Sequence, residues 1–335
     1  MNQNINPPEQ QMMQFILGKW ISKPIYVAAK LGIADMLAQG NRNIEELAEM
    51  TTTMADPLYR MMRALAGVGI FIEIKNRVFE NTPLSECLKK GRLKSAALMF
   101  ESNWHSNIWD NLLYSIQTGK PSFEKVFGKP AFEWFKNNPI EAEIFNEANS
   151  FKAVFTHRII VERYDFSRIK TLTDVGGGLG SLMIEILKAN PHMKGTVAEL
   201  PETVPQIIKI IKENKLENRM SAVKCNFFKE IPEDSDAYLL SHILHDWPDE
   251  KCINILTNCR KAMDSKGKLL IVEGIIPPGN EFSMSKLLDL EVFLMGGGCE
   301  RTEDEFEELF KKSGFRLSEV VQTDKGISII VGVPE

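Results

Sequence analysis

The sequence has few cysteines, no long apolar run and no excess of positive charge. Its five scattered cysteines show no zinc-ligand spacing and favour reduced thiols in a cytoplasmic protein. No apolar run approaches the roughly 18 residues that a membrane-spanning helix needs. The N-terminus lacks the basic and apolar parts of a secretory signal. The net charge of -5 argues against a protein that coats nucleic acid or an anionic membrane.

The length of 335 residues and the ordinary globular composition predict about two domains. Residues 1–100 predict an all-α domain that ends in a hairpin. Residues 101–167 predict further helices rich in aromatic side chains, most of them core and a minority available to line a pocket for a flat organic substrate. Residues 168–335 alternate between strand and helix.

The first hundred residues follow the element order of a winged helix. Asn43 is the expected N-cap of one helix, Asp56-Pro57 begins the next, and two short apolar runs around Lys75-Asn76-Arg77 predict the hairpin. The helix at 57–65 carries two arginines among methionines and leucines, and offers few groups to base edges. Its apolar surface favours dimerisation, and a winged-helix transcriptional regulator is the alternative from another class.

The second half predicts a doubly wound α/β fold with a mostly parallel sheet. The last two strands are joined by a short turn at Asp324-Lys325-Gly326, so that pair is expected to be antiparallel. The seven predicted strands are Thr171–Val175, Gly195–Leu200, Met220–Cys225, Ala237–Ile243, Lys268–Glu273, Phe315–Val321 and Ile327–Val333.

A glycine-rich turn between the first of these strands and a helix is the most informative motif. Gly176, Gly178 and Gly180 give the spacing G-x-G-x-G, and Ser181 stands where a dinucleotide fingerprint needs its third glycine. Asp174, two residues before the first glycine, would repel a pyrophosphate but suits a cationic amino-acid group. The motif therefore predicts a cradle for S-adenosylmethionine, and a tight turn without ligand is the alternative.

Other candidates for cofactor binding follow the next strands. Glu199 ends the second strand about 20 residues beyond the glycine turn, where an acid bonds ribose hydroxyls; a helix-capping acid is the alternative. Asn226 is expected near the adenine edge, and Phe227 is available for stacking.

The ends of the fourth and fifth strands carry the candidates for acid–base chemistry. His245 lies where ligands of open α/β sheets bind, and imidazole accepts protons near neutral pH. His242, three residues earlier, is expected to be a packed core histidine. Glu273 could orient the imidazole as the third member of a triad does. Glu300 precedes an acidic helix, so its alternative role is ordinary acid placement at a helix N-terminus.

Several bulky residues are candidates for the wall of a substrate pocket. Trp247 with Pro248 follows His245-Asp246, and an apolar helix over 284–295 could cover an aromatic substrate. The candidate pocket residues are Trp104, Asn149, Trp247, Val292, Phe293 and Met295.

Together these stretches closely resemble the metal-independent small-molecule O-methyltransferases of the caffeic acid and hydroxyindole O-methyltransferase type. The resemblance covers nearly the whole chain. It is carried by the segments Asp174–Gly180, Glu199-Leu200-Pro201, His245-Asp246-Trp247 and Gly297–Thr302.

The resemblance implies a homodimer formed by the winged-helix domain and a Rossmann-like class I methyltransferase domain over 101–335. It implies no metal, S-adenosylmethionine as methyl donor, S-adenosylhomocysteine as product, and a hydroxyl of a small aromatic or enolic metabolite as acceptor. His245 is then the general base, with Glu273, Glu300 and Asp246 beside it. Leu200 and Ser241 join the cofactor-binding residues by the same resemblance.

The chain departs from the family pattern at several cofactor positions. Glu199 replaces the usual Asp, Cys225-Asn226 replaces Gly-Asp, and Ser241 replaces a lysine of many plant members. The segment Asp289–Met295 also differs from the plant pattern, so bacterial natural-product enzymes resemble this chain more. An N-methyltransferase acting on a heterocycle and a cofactor-binding relative with hydroxylase chemistry are the enzymatic alternatives.

Overall fold

The computed structural model describes residues 7–323 and 326–335, and the chain divides into two compact units. One unit comprises the chain up to Asp110 together with Trp134–Phe151. The other comprises Asn111–Glu133 and Lys152–Glu335. Within the described ranges, every helix is too short or too polar to cross a bilayer.

The chain up to residue 163 is mainly helical. Its elements are α1 (Pro8–Ile16), α2 (Lys19–Leu31), α3 (Ile33–Leu37), β1 (Arg42–Asn43), α4 (Ile44–Thr51), α5 (Ala55–Gly67), β2 (Phe71–Lys75), β3 (Val78–Asn81), α6 (Pro83–Glu86), α7 (Lys94–Phe100), α8 (Asn103–Asp110), α9 (Leu112–Thr118), α10 (Ser122–Phe127), α11 (Ala131–Lys136) and α12 (Pro139–Arg163). The order helix, helix, hairpin that the sequence predicts is confirmed by α4, α5 and the β2–β3 pair.

Local chemistry explains the start of α4 and the hairpin turn. The Asn43 side chain accepts the Glu46 backbone N–H at 2.8 Å, and the Glu46 carboxylate accepts the Asn43 N–H at 2.9 Å, which completes a capping box. Arg77 turns the hairpin with a left-handed φ of 63°. Below these elements, Phe71 and Phe79 lie in an apolar core with residues of α4 and α5. The capping box at Asn43 confirms the N-cap that the sequence predicts.

From residue 171 onward, strands alternate with helices. The elements are β4 (Thr171–Val175), α13 (Ser181–Ala189), β5 (Lys194–Glu199), α14 (Val204–Glu213), β6 (Met220–Lys224), β7 (Ala237–Ser241), a 3₁₀ turn (Leu244–Asp246), α15 (Asp249–Ala262), β8 (Lys268–Glu273), α16 (Met284–Gly296), α17 (Glu303–Lys312), β9 (Phe315–Gln322) and β10 (Ser328–Pro334).

These strands form one seven-stranded sheet in the order β6-β5-β4-β7-β8-β10-β9. The first five are parallel to one another, whereas β10 is antiparallel to both β8 and β9. The seven strands and the antiparallel final pair are thus confirmed. Of the turn predicted between that pair, Asp324 and Lys325 lie outside the described residues.

Both faces of this sheet are covered by helices. Alternate residues of β7 and β8 join opposite apolar clusters: Leu239 and Leu270 pack with α13 and α14, whereas Leu240 and Ile271 pack with α15 and α17. The sheet therefore offers its strand ends to ligands, and the chain connections run in opposite directions on the two sides of β4 and β7. That switch point is where open α/β sheets bind their ligands.

Candidate active site

The glycine turn after β4 packs its backbone directly onto a buried carboxylate. Gly176 has a left-handed φ of 70°, which few other residues adopt. A Cβ added to Gly177 would lie 2.3 Å from Oδ2 of Asp174, so only glycine allows this approach. Asp174 itself is 1% exposed at the end of β4. The turn and the acid therefore form a single unit.

The Asp174 carboxylate is buried and has an oxygen to which no described residue donates a hydrogen bond. Its Oδ1 has no hydrogen-bond partner among residues 7–323 and 326–335. Burial, assisted by the nearby charge of Glu199, raises the pKa of Asp174 to about 7. A buried acid with an unpaired oxygen is suited to a cationic ligand group, because a positive charge there restores the ionised form.

Glu199 ties the end of β5 to the glycine turn. One oxygen of its carboxylate accepts the Gly178 backbone N–H at 3.0 Å, and the other accepts the Leu200 N–H at 2.7 Å. Leu200 follows with 43% of its surface exposed. The structure therefore brings Glu199 to the cradle as predicted from its position, and its contact with a ribose stays a prediction.

The other predicted cofactor residues lie at neighbouring strand ends. Asn226 is exposed after β6, and its Oδ1 accepts the Phe228 N–H at 3.1 Å. The half-buried Phe227 borders the turn, since a Cβ on Gly176 would lie 3.3 Å from its ring. Ser241 ends β7 and is half-buried.

Beyond β7 the structure corrects one expectation about the chain. The predicted fourth strand ran to residue 243, but β7 ends at Ser241 because His242 adopts a left-handed φ of 54°. His242 is half-buried rather than a packed core histidine, and its ring centroid lies 5.4 Å from that of His245. The chain therefore leaves the strand at His242 and enters the 3₁₀ turn at Leu244.

Glu273, at the end of β8, holds the 3₁₀ turn in place. Its Oε1 accepts the backbone N–H groups of Ile243 at 3.0 Å and Leu244 at 2.9 Å, with that of His245 at 3.4 Å. The side chain is fully buried. One carboxylate oxygen therefore fixes the backbone that carries His245, and the other faces the imidazole.

Three carboxylates surround the imidazole of His245. Nδ1 lies 2.8 Å from Oε1 of Glu300 and 3.4 Å from Oε2 of Glu273, and Nε2 lies 3.6 Å from Oδ1 of Asp246. Because a carboxylate can only accept, Nδ1 donates its hydrogen to Glu300. The structure therefore brings together all four residues that the sequence proposes for acid–base chemistry.

Burial and charge in this cluster shift the pKa of His245, Glu273 and Asp246. Burial acts to lower the pKa of His245, but the charge of Glu273 and the hydrogen bond to Glu300, with Asp246 nearby, raise it to about 10. Burial raises the pKa of Glu273 to about 7 and also raises that of Asp246. In the free protein the imidazole is therefore protonated at neutral pH.

Two residues that support Glu300 were missed by the sequence reasoning, one in its loop and one on α16. A Cβ on Gly298 would lie 2.0 Å from the His245 carbonyl oxygen, so the two backbones meet at this glycine. Asp289 on α16 accepts the Glu300 N–H at 2.9 Å. The run of three glycines before Glu300 was the available signal for a close backbone approach.

Arg301 is the third residue that was missed. It is 2% exposed, and its guanidinium donates to the carbonyl oxygens of Leu244 at 3.1 Å and Trp247 at 2.9 Å, and to Asp249 at 2.8 Å. One buried arginine thus joins the loop of His245 to the loop of Glu300. Its position next to Glu300 was a signal that it belongs to the site. Its partners could not be identified from the sequence, because they lie about 50 residues earlier in the chain.

The predicted pocket residues of the sheet-containing unit are half-buried or buried. The Trp247 ring meets Phe228 edge-on at 4.9 Å, and Lys251 Nζ lies 4.6 Å from its centroid. On α16, Val292 is buried, whereas Phe293 and Met295 are half-buried. Their contact with a substrate stays a prediction.

The two remaining candidates belong to the other unit. Trp104 is buried and packs edge-on against Phe135 at 5.3 Å and His105 at 5.4 Å. Asn149 is exposed on α12. A role for either in the pocket stays a prediction.

The sheet order, the antiparallel last strand and the glycine turn with its acid define a class I methyltransferase. A family model described as the O-methyltransferase domain matches residues 109–316, and one described as the O-methyltransferase dimerisation domain matches residues 13–91. The chain therefore belongs to the O-methyltransferase family and is an enzyme of that kind.

Similar proteins modify both oxygen and nitrogen. The chain is 39% identical to the phenazine O-methyltransferase PhzM of Lysobacter antibioticus, covering 98% of this chain and 97% of that one. It is 29% identical to phenazine-1-carboxylate N-methyltransferase of Pseudomonas aeruginosa, covering 99% of each.

Solved structures share the whole fold. The structure of LaPhzM has a TM-score of 0.92 at 39% identity and covers 98% of this chain and 100% of its own. The O-methyltransferase NcsB1, in complex with S-adenosylmethionine and 2-hydroxy-5-methyl naphthoic acid, has a TM-score of 0.80 at 27% identity, with 94% and 96% covered.

Proposed function

We propose that this protein transfers the methyl group of S-adenosylmethionine to a hydroxyl of a small aromatic or enolic metabolite, with His245 as general base. The observation that carries the proposal is the imidazole held by Glu300 at 2.8 Å, at the same sheet edge as the glycine turn. A base and a cationic-ligand cradle at neighbouring strand ends suit proton removal beside an activated methyl group.

The cradle residues fit this cofactor. Asp174 presents a buried, unpaired carboxylate oxygen to a ligand ammonium group, and the absence of a side chain at Gly176 lets Ile243 and Phe227 pack against the turn. Glu199 lies beside the glycine turn, because its carboxylate accepts the Gly178 N–H. When bound, the cofactor supplies a methyl carbon on a positively charged sulfur, a charge that opposes protonation of His245.

The acid cluster determines how His245 handles the proton. Neutral imidazole keeps Nδ1–H donated to Glu300, which leaves the Nε2 lone pair to accept the hydroxyl proton. Glu273 and Glu300 then stabilise the imidazolium that forms, as the acid of a catalytic triad does. Trp247 and α16 are the expected walls of the acceptor pocket.

The dimerisation domain supports a homodimer. Its first helices leave large apolar side chains in solvent, among them Phe15 at 80% and Trp20 at 73% exposure. We expect this surface to be covered by a second copy. The free thiols of all five cysteines agree with a cytoplasmic location.

Methyl transfer to a heterocyclic nitrogen is the second candidate, favoured by the Pseudomonas relative. A neutral ring nitrogen has its own lone pair and needs no base. The two functions therefore differ in their dependence on His245.

The experiment supplies the protein with S-adenosylmethionine and a panel of phenols, hydroxyquinones and ring-nitrogen heterocycles, and measures S-adenosylhomocysteine by mass spectrometry. With a hydroxyl acceptor, His245→Gln should lower turnover by about 10²- to 10⁴-fold. Calorimetry should show that this variant still binds the cofactor, and that Gly176→Val, which strains a left-handed φ of 70°, does not. Full turnover of His245→Gln on a phenol would contradict the base assignment.

A further inference from the structure

Two imidazoles and a buried carboxylate converge beyond the ends of β7 and β8. His242, His245 and Glu273 each offer one ligand atom, and these atoms lie within 4.8 Å of one another. Nδ1 of His245 and Oε2 of Glu273 are 3.4 Å apart. Zinc binds nitrogen and oxygen at about 2.0–2.2 Å, so neighbouring ligands of a tetrahedral ion are roughly 3.4 Å apart.

The backbone fixes both histidines at this place. The His242 N–H donates to the Val272 carbonyl at 3.0 Å, and its left-handed φ of 54° directs the chain out of β7. His245 is anchored three residues later through the turn that Glu273 holds. All three ligand atoms lie within 4.8 Å of one another, which exceeds the roughly 3.4 Å between ligands of a tetrahedral ion by at most about 1.4 Å.

Three carboxylates also face a single imidazole in this cluster. Oε2 of Glu273 and Oε2 of Glu300 are buried and accept no hydrogen bond from the residues that the structure describes. Asp246 adds a third carboxylate at 3.6 Å from Nε2 of His245. A divalent cation would compensate this charge more fully than a proton does.

We propose that His242, His245 and Glu273 form an inhibitory site for a divalent transition-metal ion such as Zn²⁺. Two imidazoles with a carboxylate suit Zn²⁺ and Co²⁺, whereas Mg²⁺ and Ca²⁺ prefer all-oxygen sites. The metal binds Nδ1 of His245 in place of the proton that Nδ1 donates to Glu300, and that proton passes to solvent. The neutral imidazole then carries its remaining hydrogen on Nε2, so it has no lone pair left to accept the hydroxyl proton. The inhibition rests on the proposed function, but the binding does not.

The test measures metal binding and methyl transfer separately. Co²⁺ is titrated into the ligand-free protein and followed by its visible absorption, and Zn²⁺ is titrated by calorimetry, both without cofactor or acceptor. The key variant is His242→Asn, because asparagine adopts the left-handed backbone readily and lacks the imidazole. His192→Asn, which removes an exposed histidine elsewhere, is the matched control.

We expect His242→Asn to weaken Zn²⁺ and Co²⁺ binding at least about tenfold and to keep methyl transfer within about twofold, while His192→Asn leaves both unchanged. Zn²⁺ should inhibit the wild type, a chelator should restore it, and His242→Asn should resist. Equal metal binding by the wild type and His242→Asn would overturn the site. His242→Gly is the second variant if asparagine unfolds the protein. Metal binding through His242 in a protein without turnover would refute the proposed function and leave this site standing.

Discussion

The negative charge of Glu273 beside His245 predicts that the substitution Glu273→Gln changes the pKa of the imidazole strongly. Glutamine keeps the length of the side chain and one Oε1 acceptor for the Ile243 and Leu244 backbone N–H groups, which Glu273 binds at 3.0 and 2.9 Å. It removes the negative charge that lies 3.4 Å from Nδ1 of His245. We therefore expect the pKa of His245 to fall in the free protein.

The size of the change follows from the distance. Two unit charges 3.4 Å apart interact with about 5 kcal/mol at an effective dielectric constant of 20. At about 1.4 kcal/mol per pKa unit, this is roughly three and a half units. Since the pKa of His245 is raised from 6.5 to about 10, its value in Glu273→Gln should return close to that of an ordinary histidine.

The assay is a proton NMR titration of the ligand-free protein, which has only five histidines. The His245 resonance is assigned by its absence in His245→Gln. A second readout is the pH profile of kcat/KM, because its acidic limb reports groups of the free enzyme. That limb should move to lower pH in Glu273→Gln, and the plateau should fall because the imidazole is a weaker base.

Glu250→Gln is the control, since Glu250 is exposed at the start of α15 and should leave both readouts unchanged. The electrostatic account fails if a folded Glu273→Gln variant shifts the His245 pKa by less than about one unit. It also fails if the wild-type imidazole titrates near 6.5.

Other substitutions test the supports of the site and the first domain. Gly298→Ala places a Cβ 2.0 Å from the His245 carbonyl oxygen, so it should cost about 1–3 kcal/mol of unfolding free energy and abolish turnover. Gly296→Ala is the control and should be harmless, because a Cβ there meets no described atom within 4 Å. Arg301→Lys cannot reproduce the buried fork and should lower the unfolding free energy in urea by about 3 kcal/mol; no loss would contradict its clamping role. Asn43→Ala removes the N-cap of α4 and should cost about 1 kcal/mol without changing cofactor affinity in calorimetry.

The sheet could be predicted because its physical pattern is local. Leu269–Val272 is a continuous apolar run, as expected for a strand buried on both faces, and the structure places it inside the sheet. Helix starts were also accessible from short signals, such as the capping box at Asn43 and the one between Thr302 and Glu305. The glycines at the turn after β4 also form a local pattern, so they indicated the cradle from the sequence alone.

The supports of the site could not be predicted, because they depend on residues far apart in the chain. Arg301 looks like a surface arginine before an acidic helix, and only the fold shows that its guanidinium bonds the carbonyls of Leu244 and Trp247. His242 continues an apolar strand pattern, and only the structure shows its left-handed turn. Periodicity reports which face is buried, but not which backbone atoms need a donor.

The acid cluster also determines how stability depends on pH. The pKa of His245 is higher in the folded protein, about 10, than the 6.5 of an unfolded chain. The folded state therefore binds this proton more tightly, and the resulting stability is complete below pH 6.5 and lost as pH rises through about 10. We expect the urea midpoint of the wild type to fall from pH 7 to pH 10 more steeply than that of His245→Gln. Buried thiols and tyrosines titrate in both proteins and cancel in the difference. Parallel curves for the two proteins would show that His245 is not held protonated by its neighbours.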